Sequence, residues 1–336
     1  ISWALPTSSR LLMRRSKALL LLCLLLQACS GLPLKEYAET LGPRRQLDVP
    51  FIAQQQYYCG PAALAEVAQY RGIDADQNDL AKQLFIPGKK GSLAVEMQAA
   101  SRRLGLLPYP LAKNFHALLQ ELDAGNPVLV FQNLTFSWWP QWHYALAVGY
   151  DLAREELILH SGDRPYYRLP FSTFMATWSR TNNWARVMVD SSHLPVTAKP
   201  LATIRSAYAF EQTGHPELAA GFYALAAERW PDSLPVLTAQ ANLALAQGES
   251  QRAIQVFERL LALAKDDPAL WNNYAYALLA GGCKAQALTA ISRAEALAPE
   301  DDAYRESASD CPLYTTDARD EEERDTAGDT RSTPTQ

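Results

Sequence analysis

Two side chains have the types and surroundings for covalent chemistry. One is Cys59, in the run Gln54-Gln55-Gln56-Tyr57-Tyr58-Cys59-Gly60-Pro61-Ala62-Ala63-Leu64; the other is His143, which opens His143-Tyr144-Ala145-Leu146-Ala147-Val148-Gly149-Tyr150. Pro61 suits the first turn of a helix, where its missing N–H would have no partner. The small residues behind it continue the helix and leave Cys59 at its mouth. There the free backbone amides and the positive end of the helix dipole favour a thiolate, so the sulfur is expected to react near neutral pH. His143 begins an apolar segment that reads as a buried strand, which would hold its ring rigidly. A thiol and an imidazole together can carry out acyl transfer: the ring takes the sulfur's proton and later protonates the leaving amine. Singly, such a cysteine is most often a small buried side chain and such a histidine a satisfied structural one. The two together indicate a site.

The run Val49-Pro50-Phe51-Ile52-Ala53-Gln54, then Cys59-Gly60-Pro61-Ala62-Ala63-Leu64, then His143-Tyr144 ahead of a hydrophobic strand and Gly149-Tyr150-Asp151, resembles the bacteriocin-processing-type cysteine peptidases. These papain-like domains form family 39 of the cysteine peptidases and cut leader peptides after Gly-Gly. The resemblance covers residues 47–189, and nearly the whole chain for stand-alone bacterial members that carry a lipoprotein signal and tetratricopeptide repeats. It implies an α+β papain-like fold with Cys59 as nucleophile, His143 as base and a glutamine at the position of Gln54 as oxyanion donor. Loss of such a donor typically costs about 10²–10³ in rate. Gln55 and Gln56 lie within one or two residues of the same register. In the family an Asp ends the strand after the His strand and orients the imidazole. Here that strand is Glu156-Leu157-Ile158-Leu159-His160-Ser161-Gly162-Asp163, and Ser161 or His160 falls at the acid's place. Asp163, reaching back through a tight turn, is the expected orienting acid, with Asn133 on the preceding strand as the other partner. An orienting acid sets tautomer and geometry without breaking bonds itself, so its displacement lowers activity without abolishing it.

Immediately before His143 stand Trp138-Trp139-Pro140-Gln141-Trp142. Pro140 ends the preceding strand, so the three indoles read as a loop, either a lid over the core or the wall of a peptide cleft. His116, His193 and His215 have no metal-ligand spacing with any Cys or acidic pair, and neither metal nor cofactor is expected. At 336 residues, 48% hydrophobic and 20% charged, the chain has room for two globular domains. A net charge of −5, with no basic patch interleaved with aromatics and no Gly-rich phosphate loop, argues against nucleic acid and nucleotide partners.

Met13-Arg14-Arg15-Ser16-Lys17 is cationic, Ala18 to Leu26 is apolar, and Leu26-Gln27-Ala28-Cys29 closes the segment. That ending resembles a bacterial lipobox, with Gln27 an imperfect match. The apolar run is too short for a conventional spanning helix. Residues 1–29 are therefore expected to be a non-native leader, up to Met13, plus a lipoprotein signal peptide, with Cys29 lipidated. Ser30 suits outer-membrane sorting, as in enteric lipoproteins, which places the protein on the periplasmic side of the bacterial envelope, touching the membrane only through its lipid. In that oxidising compartment Cys283 and Cys311 can pair, closing a loop over the last helices.

A tether over 30–46 leads into the peptidase-like domain, 47–190. Helices are expected at Gly60–Arg71, Gln77–Leu84, Leu93–Leu104 and Phe115–Ala124. Strands follow at Val128–Asn133, His143–Tyr150, Leu157–Ser161, Tyr166–Leu169 and Ala185–Val189. Residues 191–200 read as a linker separating the two domains. Beyond it the chain is Ala-rich with an internal period: Ala219, Ala253 and Ala287 are 34 residues apart, as are Tyr223, Phe257 and Ile291, while Leu237 and Trp271 share the step. This matches the tetratricopeptide pattern, about three repeats over 201–313, forming an all-α platform. Asn242, Asn272 and Asn273 are candidate groove positions for an extended peptide or partner helix. The tail, 314–336, is almost free of apolar residues and is expected to be disordered.

The expected function is amide hydrolysis of a peptide or protein substrate by a Cys/His mechanism, with the repeats recruiting substrate or a protein partner. The rival expectation is a degenerate peptidase fold kept as a binding module. Transamidase or thioester chemistry on the same dyad is a third reading, since a dyad does not choose its acyl acceptor.

Overall fold

The computed structural model describes residues 34–89 and 91–310. Cys29 and Cys311 lie outside the described residues, so lipidation and the pairing with Cys283 do too. The chain divides into two units, 1–43 and 44–336. The first contributes one described helix, α1 (Leu34–Thr40).

The second unit opens with β1 (Arg44–Gln46), α2 (Cys59–Tyr70), α3 (Gln77–Leu84), a 3₁₀ turn at Pro87–Lys89, α4 (Ala94–Arg103), β2 (Leu107–Pro110) and α5 (Phe115–Asp123). Then come β3 (Val128–Asn133), β4 (Trp142–Asp151), β5 (Glu156–Ser161), β6 (Arg164–Pro170), α6 (Phe171–Ser179) and β7 (Ala185–Val189). The strands form one antiparallel sheet in the order β2-β7-β3-β4-β5-β6, with β1 added beside the end of β4. The four helices and five of the strands expected from the sequence are present to within two residues at each end, and β1, β2 and α6 are additional to them. β2 carries Pro108 and Pro110, which a sheet tolerates at its edge, and it is an edge strand here. α6, Phe-Ser-Thr-Phe-Met-Ala-Thr-Trp-Ser, is built from aromatic and β-branched residues of low helix propensity and is held by burial of Phe171, Phe174 and Trp178.

β1 corrects the expected tether, because Arg44-Arg45-Gln46 pairs with Asp151, Tyr150 and Gly149. No apolar alternation announces such a strand. Its partner strand does make room for it: a Cβ on Gly149 would lie 2.3 Å from the Arg45 carbonyl oxygen, so only glycine admits this approach.

The core of the sheet is apolar. Val128, Leu129, Val130, Leu146, Ala147, Val148 and Tyr150 are all fully buried. α2 packs its Ala-rich face on β4, and the smallness of Ala62, Ala63 and Ala65 lets helix and strand approach closely.

The repeats run α7 (Pro200–Glu211), α8 (Pro216–Arg229), α9 (Leu234–Ala246), α10 (Ser250–Leu263), α11 (Pro268–Ala280), α12 (Lys284–Leu297) and α13 (Asp302–Asp310). First-helix starts fall at 200, 234, 268 and 302, so the 34-residue period governs the elements themselves. Ala219, Ala253, Ala287 and Phe257 are completely buried between paired helices. Gly214, Gly248 and Gly282 turn each pair at φ between +75° and +82°, a left-handed conformation in which a side chain would be strained. Of the candidate groove positions, Asn242 is exposed while Asn272 and Asn273 are half-buried.

The linker does not hold the two domains apart. The buried Glu121 on α5 accepts the Thr197 N–H and hydroxyl at 2.7 and 2.6 Å, and Arg229 on α8 donates to the Pro195 and Val196 carbonyls at 2.7 and 2.6 Å. Lys199 N–H donates to Tyr109 Oη on β2 at 3.0 Å. Residues 195–199 are thus fastened from both sides, and the first repeat helix packs on the sheet edge.

Candidate active site

Local backbone forces set Cys59 at the first residue of α2. The approach to it is clamped: Ile52 N–H donates to Glu66 Oε1 at 2.9 Å, Gln77 Nε2 to the Ala53 carbonyl at 3.0 Å, and Gln54 N–H to the Gly162 carbonyl at 3.1 Å. The chain then turns sharply, Tyr58 N–H donating to the Gln55 carbonyl at 3.0 Å. Tyr57 in that turn has φ +68°, a left-handed conformation uncommon for a residue with a side chain. No side chain caps α2, and Pro61 has no N–H, so the Cys59 and Gly60 amides are left to face the sulfur. Gly60 is closely packed. A Cβ there would lie 2.9 Å from Met97 Sδ and 3.0 Å from Ser92 Oγ.

Among the described residues, two hollows border Cys59. The larger is a cleft of about 360 Å³ walled by Ser92, Leu93, Phe131, Trp142 and Tyr144, with Lys89 also on its lining. The smaller, about 10 Å³, is walled by Gln54, Cys59, Glu66, Tyr144, His160 and Ser161. Trp142 belongs to β4 and stacks on Phe131, centroids 5.6 Å apart, so of the expected indole loop this ring forms the cleft wall. Trp138 and Trp139 project into solvent.

Burial dominates the thiol's acidity and raises its pKa above the ordinary cysteine value, against the lowering effect of the Tyr144, Gly60 and Cys59 amides. The expectation of a free-standing thiolate near neutral pH is therefore corrected, because desolvation outweighs the helix terminus. His143 is likewise neutral at pH 7. Burial, and secondarily the Arg164 cation, lowers its pKa to about 4.

His143 stands opposite Gln132 in the β3–β4 ladder, and its Nε2 lies 2.9 Å from Ser161 Oγ. Ser161 thus occupies the place of the orienting acid. Asp163 departs from its expected role: it sits exposed in the β5–β6 turn and makes no hydrogen bond to His143. A two-residue turn after Ser161 carries the next side chains away from the ring. Asn133 is engaged elsewhere, its Oδ1 accepting the Thr135 and Gln141 amides at 3.2 and 3.0 Å. Among the described residues no hydrogen bond joins Cys59 to His143. Of the three glutamines, Gln54 shares a hollow with Cys59, whereas Gln55 donates to Asn78 Oδ1 at 2.8 Å and Gln56 is exposed.

Glu66 on α2 and His160 on β5 form a buried pair, 3.2 Å apart, for which the sequence carries one signal. A glutamate in the middle of an apolar, Ala-rich helix face needs a partner inside the fold.

Comparison with known proteins agrees with this architecture. Residues 46–186 match the family described as Peptidase_C39 like, and residues 244–309 match the Tetratricopeptide repeat. The chain therefore carries an α+β C39-like peptidase domain followed by a helical tetratricopeptide region. Among solved structures, a putative C39-like peptidase from Bacillus anthracis is 18% identical, covers 44% of this chain and 98% of its own, and has a TM-score of 0.37. MamA from Desulfovibrio magneticus RS-1 is 17% identical over 38% of this chain and 73% of its own, TM-score 0.33. The first TPR domain of human RPAP3 is 13% identical over 36% and 95%, TM-score 0.34. No curated protein matches the sequence.

Proposed function

We propose that this protein is a cysteine peptidase of the bacterial cell envelope, in which Cys59 attacks the carbonyl of a peptide bound along the cleft lined by Phe131, Trp142 and Tyr144. The observation that carries this reading is the sulfur's position. It lies at an uncapped helix N-terminus, faced by three backbone amides, beside an apolar cleft with room for a peptide side chain. The Cys59 amide and Gln54 are the oxyanion donors, and a site imidazole carries the proton. Burial raises the pKa of the Cys59 thiol and lowers that of His143, so transfer between these two would accompany attack instead of preceding it.

The repeats recruit the protein substrate or a partner, and their docking on the sheet edge holds that partner at a fixed distance from Cys59. The cationic and apolar run ending in Cys29 supports lipid tethering on the periplasmic side. A fluorogenic peptide library incubated with the full chain tests the activity. Hydrolysis that vanishes in Cys59→Ser supports it, and equal turnover in both removes it.

Two observations favour a second reading, a peptidase fold retained as a binding module: Ser161 stands where an acid would hold the imidazolium, and His143 is held far below the range useful for a base. Peptide capture in the cleft without turnover is its signature.

A further inference from the structure

A cavity of about 460 Å³, separate from both Cys59 hollows, lies where the peptidase-like domain meets the first repeat helix. α4 supplies Gln98 and Arg102 to its wall, β2 supplies Pro108 and Pro110, and Lys199 and Arg205 come from the linker end and α7. Gln98 and Arg102 are four residues apart, about one helical turn, and so share a face of α4. Arg186 on β7, opposite Pro110 in the ladder, backs this face, its Nε donating to Gln98 Oε1 at 3.4 Å.

Three cations therefore line the cavity and a fourth stands behind them, with no carboxylate on the wall. Among the described residues, none of Arg102, Arg186, Lys199 and Arg205 forms an ion pair. The Nε of Arg102 is enclosed without a hydrogen-bonding partner. Burial lowers the pKa of Arg102, and burial together with the neighbouring Arg102 charge lowers that of Arg186 to about 10. Both guanidiniums are thus partly stripped of water, and each repels the other. Taking a charge out of water is costly unless an opposite charge accompanies it. Two half-buried cations at a domain junction, with two exposed cations on the rim, form an arrangement that an anion completes.

We propose that this cavity is an oxyanion-binding site, taking a carboxylate or phosphate group between Arg102 on the peptidase-like side and Lys199 and Arg205 on the repeat side. A guanidinium meets either group with paired N–H donors, and an ammonium adds a point charge. Pro108 and Pro110 offer an apolar wall to the stem that carries the anion. The bound group bridges α4 and α7, adding to the fastening of residues 195–199 by Glu121 and Arg229. Its source is either a separate molecule or this chain's own Asp320-Glu321-Glu322-Glu323, four consecutive carboxylates near the C-terminus.

The test is calorimetric titration of the full chain with inorganic phosphate and with succinate, in low-salt buffer because salt screens exposed charges. Wild type is expected to bind at least one of the two at a single site. Lys199→Gln and Arg205→Gln, at exposed positions the fold tolerates, are expected to weaken binding by at least about tenfold. Lys82→Gln on α3 removes the same charge from an exposed position elsewhere and is expected to bind as wild type does. Hydrogen exchange in the presence of the anion is expected to slow in α4 and α7. If the chain's own carboxylates fill the site, binding emerges only when Glu321→Gln, Glu322→Gln and Glu323→Gln are combined, which identifies the source. No binding in either wild type or that triple variant overturns the proposal. Undiminished binding in Arg205→Gln, or protection that spares α4 and α7, overturns it as well.

Discussion

Replacing Ser161 with aspartate should restore basicity to His143, and the size of the effect follows from the geometry. Ser161 Oγ lies 2.9 Å from His143 Nε2, so an aspartate there brings a carboxylate to within about 4 Å of the ring. Two unit charges at about 4 Å interact by about 4 kcal/mol at an effective dielectric of about 20, equivalent to about three pKa units. The carboxylate favours the imidazolium, so the shift is upward. Position 161 is half-buried, and solvent screening reduces the gain to between about one and three units. His143, now at about 4, would then titrate between about 5 and 7. Ring titration by NMR measures this directly. Ser161→Asn is the uncharged control of the same shape, and Asp163→Asn should leave His143 unmoved, because Asp163 is exposed in the turn. A His143 that still titrates near 4 in Ser161→Asp would refute the assignment of position 161 as the orienting site.

Three further outcomes are expected. His143 has a folded-state pKa below its unfolded value, so the unfolded chain binds the extra proton. The stability this contributes is complete above about pH 6.5 and is lost as pH falls toward about 4, by up to about 3 kcal/mol. Urea midpoints measured across that window should flatten in His143→Gln. Gly149→Ala should lower stability by about 1–3 kcal/mol through overpacking against Arg45, read as a reduced melting temperature, and a wild-type melt would disprove the close approach. Phe257→Ala, which empties a fully buried position between repeat helices, should cost about 3–5 kcal/mol and unfold the repeats ahead of the peptidase-like domain in hydrogen exchange. Simultaneous loss of both regions would show that the docked linker couples them.

The sequence by itself determined what local physics and periodicity control. Gly60-Pro61 after Cys59 fixes a helix start, because proline's ring and missing amide fit only the first turn. The 34-residue step fixes the repeats, because each helix pair must present small and bulky residues at the same positions to bury its neighbour. Apolar runs located the central strands, since a strand covered on both faces has no polar side to show. The tertiary structure decided everything that depends on two distant segments meeting. β1 carries no apolar signal and exists through backbone pairing next to a glycine, and the linker is fastened by Glu121 and Arg229 from separate domains. The substitution of Ser161 for Asp163 depended on where a two-residue turn aimed its side chains. Thiol acidity was likewise a contest between helix amides, legible in the sequence, and desolvation, which is not. The pairing of Glu66 with His160, 94 residues apart, came from the packing of α2 on the sheet. A sequence records which residues must be buried but not which buried neighbours they will find.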